Sequence, residues 1–203
     1  HSLEKWGDIY DFDISFNTNW FKVEDGVPYP HIYPCSTPYG YVISAGNIIH
    51  KKEENTPALD LLATLEEDTS KLMFVDSSNI STYINKVYMG FSGVILARNG
   101  KIIDKKLKHP FPLPSQKTKR IAIGKVANGN FFIFAVYGRG LNVKELSQYL
   151  VTKFSAQTVM ILDGGGSVSL KARTKDGFKL SLPHFDKQGF RPIPAFAFFK
   201  LKK

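Results

Sequence analysis

Apolar and polar side chains alternate from Ile9 to Phe16, as Ile-Tyr-Asp-Phe-Asp-Ile-Ser-Phe, the period of two that predicts a half-buried strand. The run passes straight into Asn17-Thr18-Asn19-Trp20-Phe21. From Val23 to Pro38 the prolines at Pro28, Pro30, Pro34 and Pro38 stand among aromatics, which forbids regular helix and disfavours a central strand, so the segment reads as a long rim loop. Two later stretches, Tyr41 to Lys52 and Val94 to Lys106, each hold an apolar run, a glycine turn and a second apolar run, and both read as hairpins at a sheet edge. Between them, Leu59 to Leu65 and Lys71 to Asp76 flank the polar turn Glu66 to Ser70. A helix over Ala58 to Glu67 competes there, because Leu59, Leu61, Leu62 and Leu65 would share one face; the hairpin is narrowly preferred. Ser77 to Asn85 shows no strong period and suits a short helix or a loop.

The segment His109-Pro110-Phe111-Pro112-Leu113-Pro114 locks an extended loop, but both sides carry the same strand grammar, so a domain boundary is not read into it. Beyond it, Ile121 to Gly124, Phe131 to Val136 and Thr158 to Leu162 are short apolar runs bounded by glycines, as buried strands are, with Asn128-Gly129 turning between the first two. Asn142 can cap a helix and Glu145, three residues on, can close a capping box. Val143, Leu146, Leu150 and Phe154 then fall near one face of a helix of about twelve residues. The strand, helix, strand order from Phe131 to Asp163 predicts a crossover unit with its two strands parallel in one sheet. The fold class expected is α+β: one domain over 1–203, with a mixed, largely antiparallel sheet system and one principal helix near Asn142 to Phe154.

Composition agrees with one sizeable core, since 43% of the 203 residues are apolar and 13% aromatic. A formal charge of +9 favours anionic partners, although the runs at Lys51, Lys105, Lys117 and Lys200 also suit solvated strand edges. A nucleic-acid partner is not expected, because aromatics are not interleaved with the basic residues. Cys35 is the one cysteine, so no internal disulfide forms and no thiolate cluster for zinc exists. His31, His50, His109 and His184 occur singly, which argues against a histidine metal site, and neither metal nor cofactor is expected. No stretch approaches the roughly 18 continuous apolar residues a membrane span needs. His1 to Lys5, without Met or an apolar signal core, reads as a processed, trimmed or tagged start.

The chemistry concentrates at Asp163-Gly164-Gly165-Gly166-Ser167, directly after the buried run Val159 to Leu162. Three glycines let a ligand approach the backbone, and successive N–H groups can form an anion-binding nest. An aspartate at the carboxyl end of a buried strand is where sheets of this kind place ligand chemistry. The glycines match neither the dinucleotide fingerprint nor the P-loop, and a tight turn with a solvated aspartate is the plain alternative.

Ile161 to Leu170, ILDGGGSVSL, resembles the LDGGGSS signature of the phosphodiester glycosidase family. Lys119 to Gly124 is similar to that family's R-T-A-I-G strand, Val136-Tyr137-Gly138-Arg139 to its D-G-R turn, Leu141 to Leu150 to its helix and Arg191 to Pro194 to its closing strand. Asn17 to Phe21 resembles its N-x-x-F-F element, and the likeness runs in order over residues 17–199. Two positions depart: Tyr137 stands where the family has Asp, and Ile121 where it has Thr. The resemblance implies hydrolysis of a glycosyl-1-phosphodiester, a small-molecule or glycan substrate, and an extracellular or cell-envelope location. Expulsion of a phosphate needs little general acid, so anion stabilisation and one carboxylate suffice. Asp163, Arg120 and Arg139 are the candidate catalytic residues, and Gly164, Gly165, Gly166, Ser167, Asn17, Asn19 and Arg191 the candidate substrate-binding residues. Asp163 could serve as nucleophile, base or sugar ligand. Each residue also has a plain structural role open to it, and Tyr137 favours the alternative of a non-catalytic module that binds a phosphorylated sugar, a nucleotide-like ligand or an anionic glycan.

Overall fold

Strands dominate because the apolar runs are short and are cut by turn residues before a helical face can develop. The computed structural model describes residues 12–23, 36–53, 58–103, 114–173, 176, 179–182, 185–186, 189–190 and 195–200. The front of the chain contributes β1 (Ile14–Asn17), β2 (Phe21–Val23), β3 (Ser36–Pro38), β4 (Val42–Ser44) and β5 (Asn47–His50). The middle contributes β6 (Asp60–Leu65), β7 (Asp68–Val75), the short helix α1 (Ile80–Tyr83), β8 (Val87–Arg98) and β9 (Lys101–Ile102). The rest follows as β10 (Thr118–Val126), β11 (Phe131–Leu141), α2 (Val143–Lys153), β12 (Ala156–Ile161), β13 (Leu170–Arg173), β14 (Lys179–Leu182), β15 (Phe185–Asp186), β16 (Gly189–Phe190) and β17 (Phe196–Phe199).

The larger sheet runs β11-β10-β12-β8-β4-β5, with β6 and β9 also paired to β8, and β7 to β6. A smaller sheet runs β14-β13-β1-β17, and β2-β3 and β15-β16 form two-stranded ribbons. Every pair among the described residues is antiparallel, so the parallel neighbours expected of a mixed sheet are not found there. β11 and β12 run in the same direction in one sheet, as the strand, helix, strand order predicts, but they do not pair, because β10 lies between them and is antiparallel to both.

One preferred reading holds and two expectations shift. The competing helix over Ala58 to Glu67 gives way to the β6–β7 hairpin, because β8 supplies a pairing partner along the whole of β6. The Val94 hairpin is not at an edge: β8 pairs with β4 and β6 through its first half and with β12 and β9 through its second. Ile95 and Ala97 are accordingly fully buried. The rim loop read from Val23 to Pro38 loses its end to β3, since Ser36, Thr37 and Pro38 pair with Val23, Lys22 and Phe21; residues 24–35 lie outside the described ones. A two-stranded ribbon tolerates the proline that a central strand would reject. Both predicted glycine turns have left-handed pairs at their tips, Ala45-Gly46 at φ 49° and 75° and Asn99-Gly100 at φ 50° and 72°, the twist a two-residue hairpin needs.

The centre of the large sheet, β10 and β12, is buried on both faces. Alternation along β10 and β12 sends Ala122, Val159 and Ile161 toward α2, where they meet Val143, Leu146 and Leu150. Ile121, Ile123, Met160 and Leu162 point the other way, onto Phe16, Val168, Leu170 and Ala197 of the smaller sheet and the segment before it. Two-sided burial is why these strands read as continuous apolar runs. Each fully buried Ile or Leu contributes about 1.5–3 kcal/mol to this three-layer packing. At the start of α2 the capping box closes as the spacing predicts: Glu145 N–H donates to Asn142 Oδ1 at 2.8 Å, and Asn142 N–H to Glu145 Oε2 at 3.0 Å. Phe154 caps the far end, 41% exposed, instead of extending the buried face.

Candidate active site

The chain leaves β12 still paired, Leu162 N–H donating to the Ile121 carbonyl at 3.0 Å, and then turns out of the sheet at Asp163. One side chain holds both ends of the turn. Asn17 Nδ2 donates to the Asp163 carbonyl at 2.9 Å, and Asn17 Oδ1 accepts from Ser169 N–H at 2.9 Å. The Thr18 carbonyl takes the Asp163 N–H at 2.9 Å. Asp163 is 7% exposed, and its Oδ1 accepts from Gly164 N–H at 2.8 Å. Gly165 adopts φ +64°, which an L side chain resists, and opens one short 3₁₀ turn over Gly165–Ser167. The N–H groups of Gly165 and Gly166 donate to nothing among the described residues. Two adjacent unspent donors behind a left-handed glycine are the elements of an anion nest.

Arg120 lies beneath this turn and is 1% exposed. Its Nε donates to the Leu141 carbonyl at 3.1 Å and its Nη2 to the Gln116 carbonyl at 2.9 Å. No carboxylate among the described residues pairs with it. Burial therefore lowers its pKa from the ordinary value, by removing water from a charge that no carboxylate among the described residues balances. Guanidinium stays protonated at any ordinary pH, so the imbalance persists as an attraction for an anionic ligand. Gly164 is pressed against this arginine's strand: a Cβ there would stand 2.9 Å from the Lys119 carbonyl and 3.7 Å from Arg120 Nη1.

Arg139 reaches the same end of the sheet by a different device. Thr118 pairs with Leu141 and Arg120 with Val136, so Lys119 alone faces Tyr137, Gly138, Arg139 and Gly140. Gly138 and Gly140, both at φ +69°, make the bulge. A Cβ on Gly140 would run into the Thr118 backbone. Arg139 sits exposed at the tip and takes no carboxylate partner among the described residues. β10, the bulge and the glycine turn thus bring Asp163, Gly164, Gly165, Gly166, Ser167, Arg120 and Arg139 to one corner.

The other candidates are spent on structure or lie elsewhere. Asn17 uses both polar atoms of its amide, Nδ2 and Oδ1, on the ends of the turn. Asn19 Nδ2 donates to the Tyr39 and Tyr41 carbonyls at 2.8 and 3.1 Å, fixing the neighbouring hairpin, while its buried Oδ1 has no hydrogen-bond partner among the described residues. Ser167 is 1% exposed within the turn. Arg191 lies outside the described residues, as do Cys35, His31, His109 and His184. Among the described residues no cluster of three or more His, Cys, Asp or Glu could hold a metal.

Sequence reasoning did not anticipate two features. The carbonyls of Gln116 and Leu141 that orient Arg120 carry no side-chain signal. Tyr137, noticed as a departure from the family pattern, donates its hydroxyl to the Val168 carbonyl at 3.1 Å. Partial burial raises its phenol pKa, which keeps it neutral and able to donate.

A family model described as phosphodiester glycosidase matches residues 14–200. The catalytic domain of zebrafish N-acetylglucosamine-1-phosphodiester alpha-N-acetylglucosaminidase, solved as a form auto-inhibited by its pro-peptide, superposes with a TM-score of 0.70 at 18% identity. That match covers 100% of this chain and 67% of the zebrafish one. A hypothetical protein from Synechocystis superposes with a TM-score of 0.57 at 16% identity, over 84% of this chain and 49% of its own. No curated protein sequence matches. At these identities the structures share the fold, and the family model, spanning most of the sequence and the whole of the glycine turn, decides the rest: the chain belongs to the phosphodiester glycosidase family.

Proposed function

We propose that the protein hydrolyses a glycosyl-1-phosphodiester at the sugar–phosphate bond. The observation that carries this reading concerns the described residues: a buried arginine with no carboxylate partner among them, Arg120, is packed under a glycine turn whose Gly165 and Gly166 N–H groups are unspent among them. An anion set above that turn would receive backbone donors from one side and the field of a desolvated guanidinium from below, where charge interactions are strengthened by burial. Exposed Arg139, on its bulge, would meet the group beyond the phosphate.

In the reaction the bond between the anomeric carbon and the bridging oxygen breaks, and that oxygen leaves with the phosphate as a monoester. A water oxygen bonds to the anomeric carbon and its proton passes to solvent. Because the leaving group is already stable as an anion, the donors around it supply most of what a general acid would otherwise provide. Asp163, whose Oδ1 accepts from Gly164 N–H, stands at the sugar side. Asn17 acts as the bracket that fixes the turn's two ends, Ser167 supports it from within, and Asn19 fixes the neighbouring hairpin. The chain from 1 to 203 is read as one such domain.

Tyr137 favours a second reading, a module that binds a phosphorylated sugar without turning it over. Its phenol occupies the position where the family pattern has a carboxylate, and it is spent on the Val168 carbonyl. Turnover of the methyl diester of N-acetylglucosamine-1-phosphate separates the two. Wild-type hydrolysis that falls at least about a hundredfold in Asp163→Asn supports the enzyme. Tight binding of the diester with no product supports the module. Undiminished turnover in both Asp163→Asn and Arg120→Ala removes these residues from the mechanism.

A further inference from the structure

We propose that Tyr137 is the positioning residue of the glycine turn, a strut whose hydroxyl bond to the Val168 carbonyl sets the pitch at which Gly165 and Gly166 present their N–H groups. Between its two anchors on Asn17, the turn is closed internally by long bonds, Ser167 N–H to the Gly164 carbonyl at 3.3 Å and Val168 N–H to the Gly165 carbonyl at 3.4 Å. Bonds of that length hold weakly. The 3.1 Å bond from Tyr137 reaches the same stretch from another strand. Val168 has no exposed surface, so its carbonyl has no ready replacement in water.

The strut is itself fixed. Its ring packs against the cluster formed by Phe16, Ile121, Leu162 and Val168, and Lys119 Nζ stands over its face at 4.6 Å. Lys119 is the residue opposite the bulge, so the device that pushes Arg139 outward also seats Tyr137. An aspartate here could accept hydrogen bonds but, ionised, could not donate one to a carbonyl. In this chain Tyr137 serves the position as a brace. What the turn holds rests on the phosphodiester reading; how it is held does not.

The test uses the full chain with Tyr137→Phe, which removes only the hydroxyl, and Lys119→Met, which keeps the stem and removes the cation. Amide hydrogen exchange over residues 163–169 is read together with kcat and KM on the methyl diester of N-acetylglucosamine-1-phosphate. Tyr137→Phe is expected to speed exchange at the bonded amides Ser167 and Val168 about tenfold and to lower kcat about tenfold, with KM moved less than about threefold; Lys119→Met moves both the same way by less. A folded Tyr137→Phe protein with wild-type exchange in the turn overturns the proposal. Should Tyr137→Phe not fold, unchanged exchange in Lys119→Met overturns it instead. Faster turnover by Tyr137→Asp than by wild type also overturns it, because the position would then want a carboxylate. If the wild type itself neither binds nor cleaves the diester, the phosphodiester reading fails, while the exchange measurement still decides the strut.

Discussion

Arg120 and Arg139 look alike in the sequence, each an arginine in a short strand near a glycine, yet the fold treats them as opposites. Arg120 is 1% exposed and wedged between two backbone carbonyls, whereas Arg139 stands in solvent on a bulge built by two left-handed glycines. The first is a fixed charge in a dry place, oriented before any ligand arrives. The second is a mobile charge, screened by water and salt, that costs entropy to hold against a ligand. Preorganised charge stabilises a developing anion far more effectively than a surface arginine can. In the proposed phosphate site, the buried member would supply the strength and the exposed one the reach.

The contrast can be broken most severely at Arg120. Arg120→Ala empties a buried volume and strands the Leu141 and Gln116 carbonyls, and should cost about 3 kcal/mol in chemical unfolding, with phosphate binding lost in whatever folds. Arg120→Lys should restore little, because an ammonium cannot span both carbonyls. Next comes Asn17→Ala, which releases both ends of the glycine turn and should cost about 2 kcal/mol by the same measurement. Arg139→Ala should leave unfolding within about 0.5 kcal/mol of wild type, yet weaken inorganic phosphate binding several-fold in calorimetry, with a steeper loss at low salt. An equal loss of stability in Arg120→Ala and Arg139→Ala would erase the distinction.

The smallest effect concerns Glu145, at the start of α2. Its bond to Lys117 at 2.9 Å, and then the Asn142 N–H, lower its pKa from 4.5. A depressed carboxylate pKa stabilises the fold above the unfolded value and loses that contribution as pH falls through the folded one. The Tm deficit of Glu145→Gln should therefore be present at pH 7 and shrink as pH drops below 4.5. A deficit independent of pH would mean that charge plays no part in the cap.

The capping box, the Asn99-Gly100 turn and the strands flanking Asn128-Gly129 were legible because each depends on residues within a few positions of one another. The same holds for Asp163 to Ser167, where an aspartate and three glycines after a buried run carry their own signal. Partnership was not legible. Nothing local distinguishes β8 as a strand shared by four others, and nothing around Val136 says that the bulge will leave Lys119 facing four residues. The narrow choice between helix and hairpin at Leu59 to Leu65 was settled by β8, which offers β6 its hydrogen bonds.

By itself, then, the sequence determined the strand-rich class, the principal helix and the place of the glycine turn, since these follow from spacing and from backbone preferences carried by individual residues. Tertiary structure alone decided which arginine is dry, which atom of the Asn17 amide holds which end of the turn, and what Tyr137 does in place of a carboxylate. Those are questions of burial and of contacts between residues far apart in the chain. A side chain's charge can be read from its letter, but its energy depends on the water that packing removes.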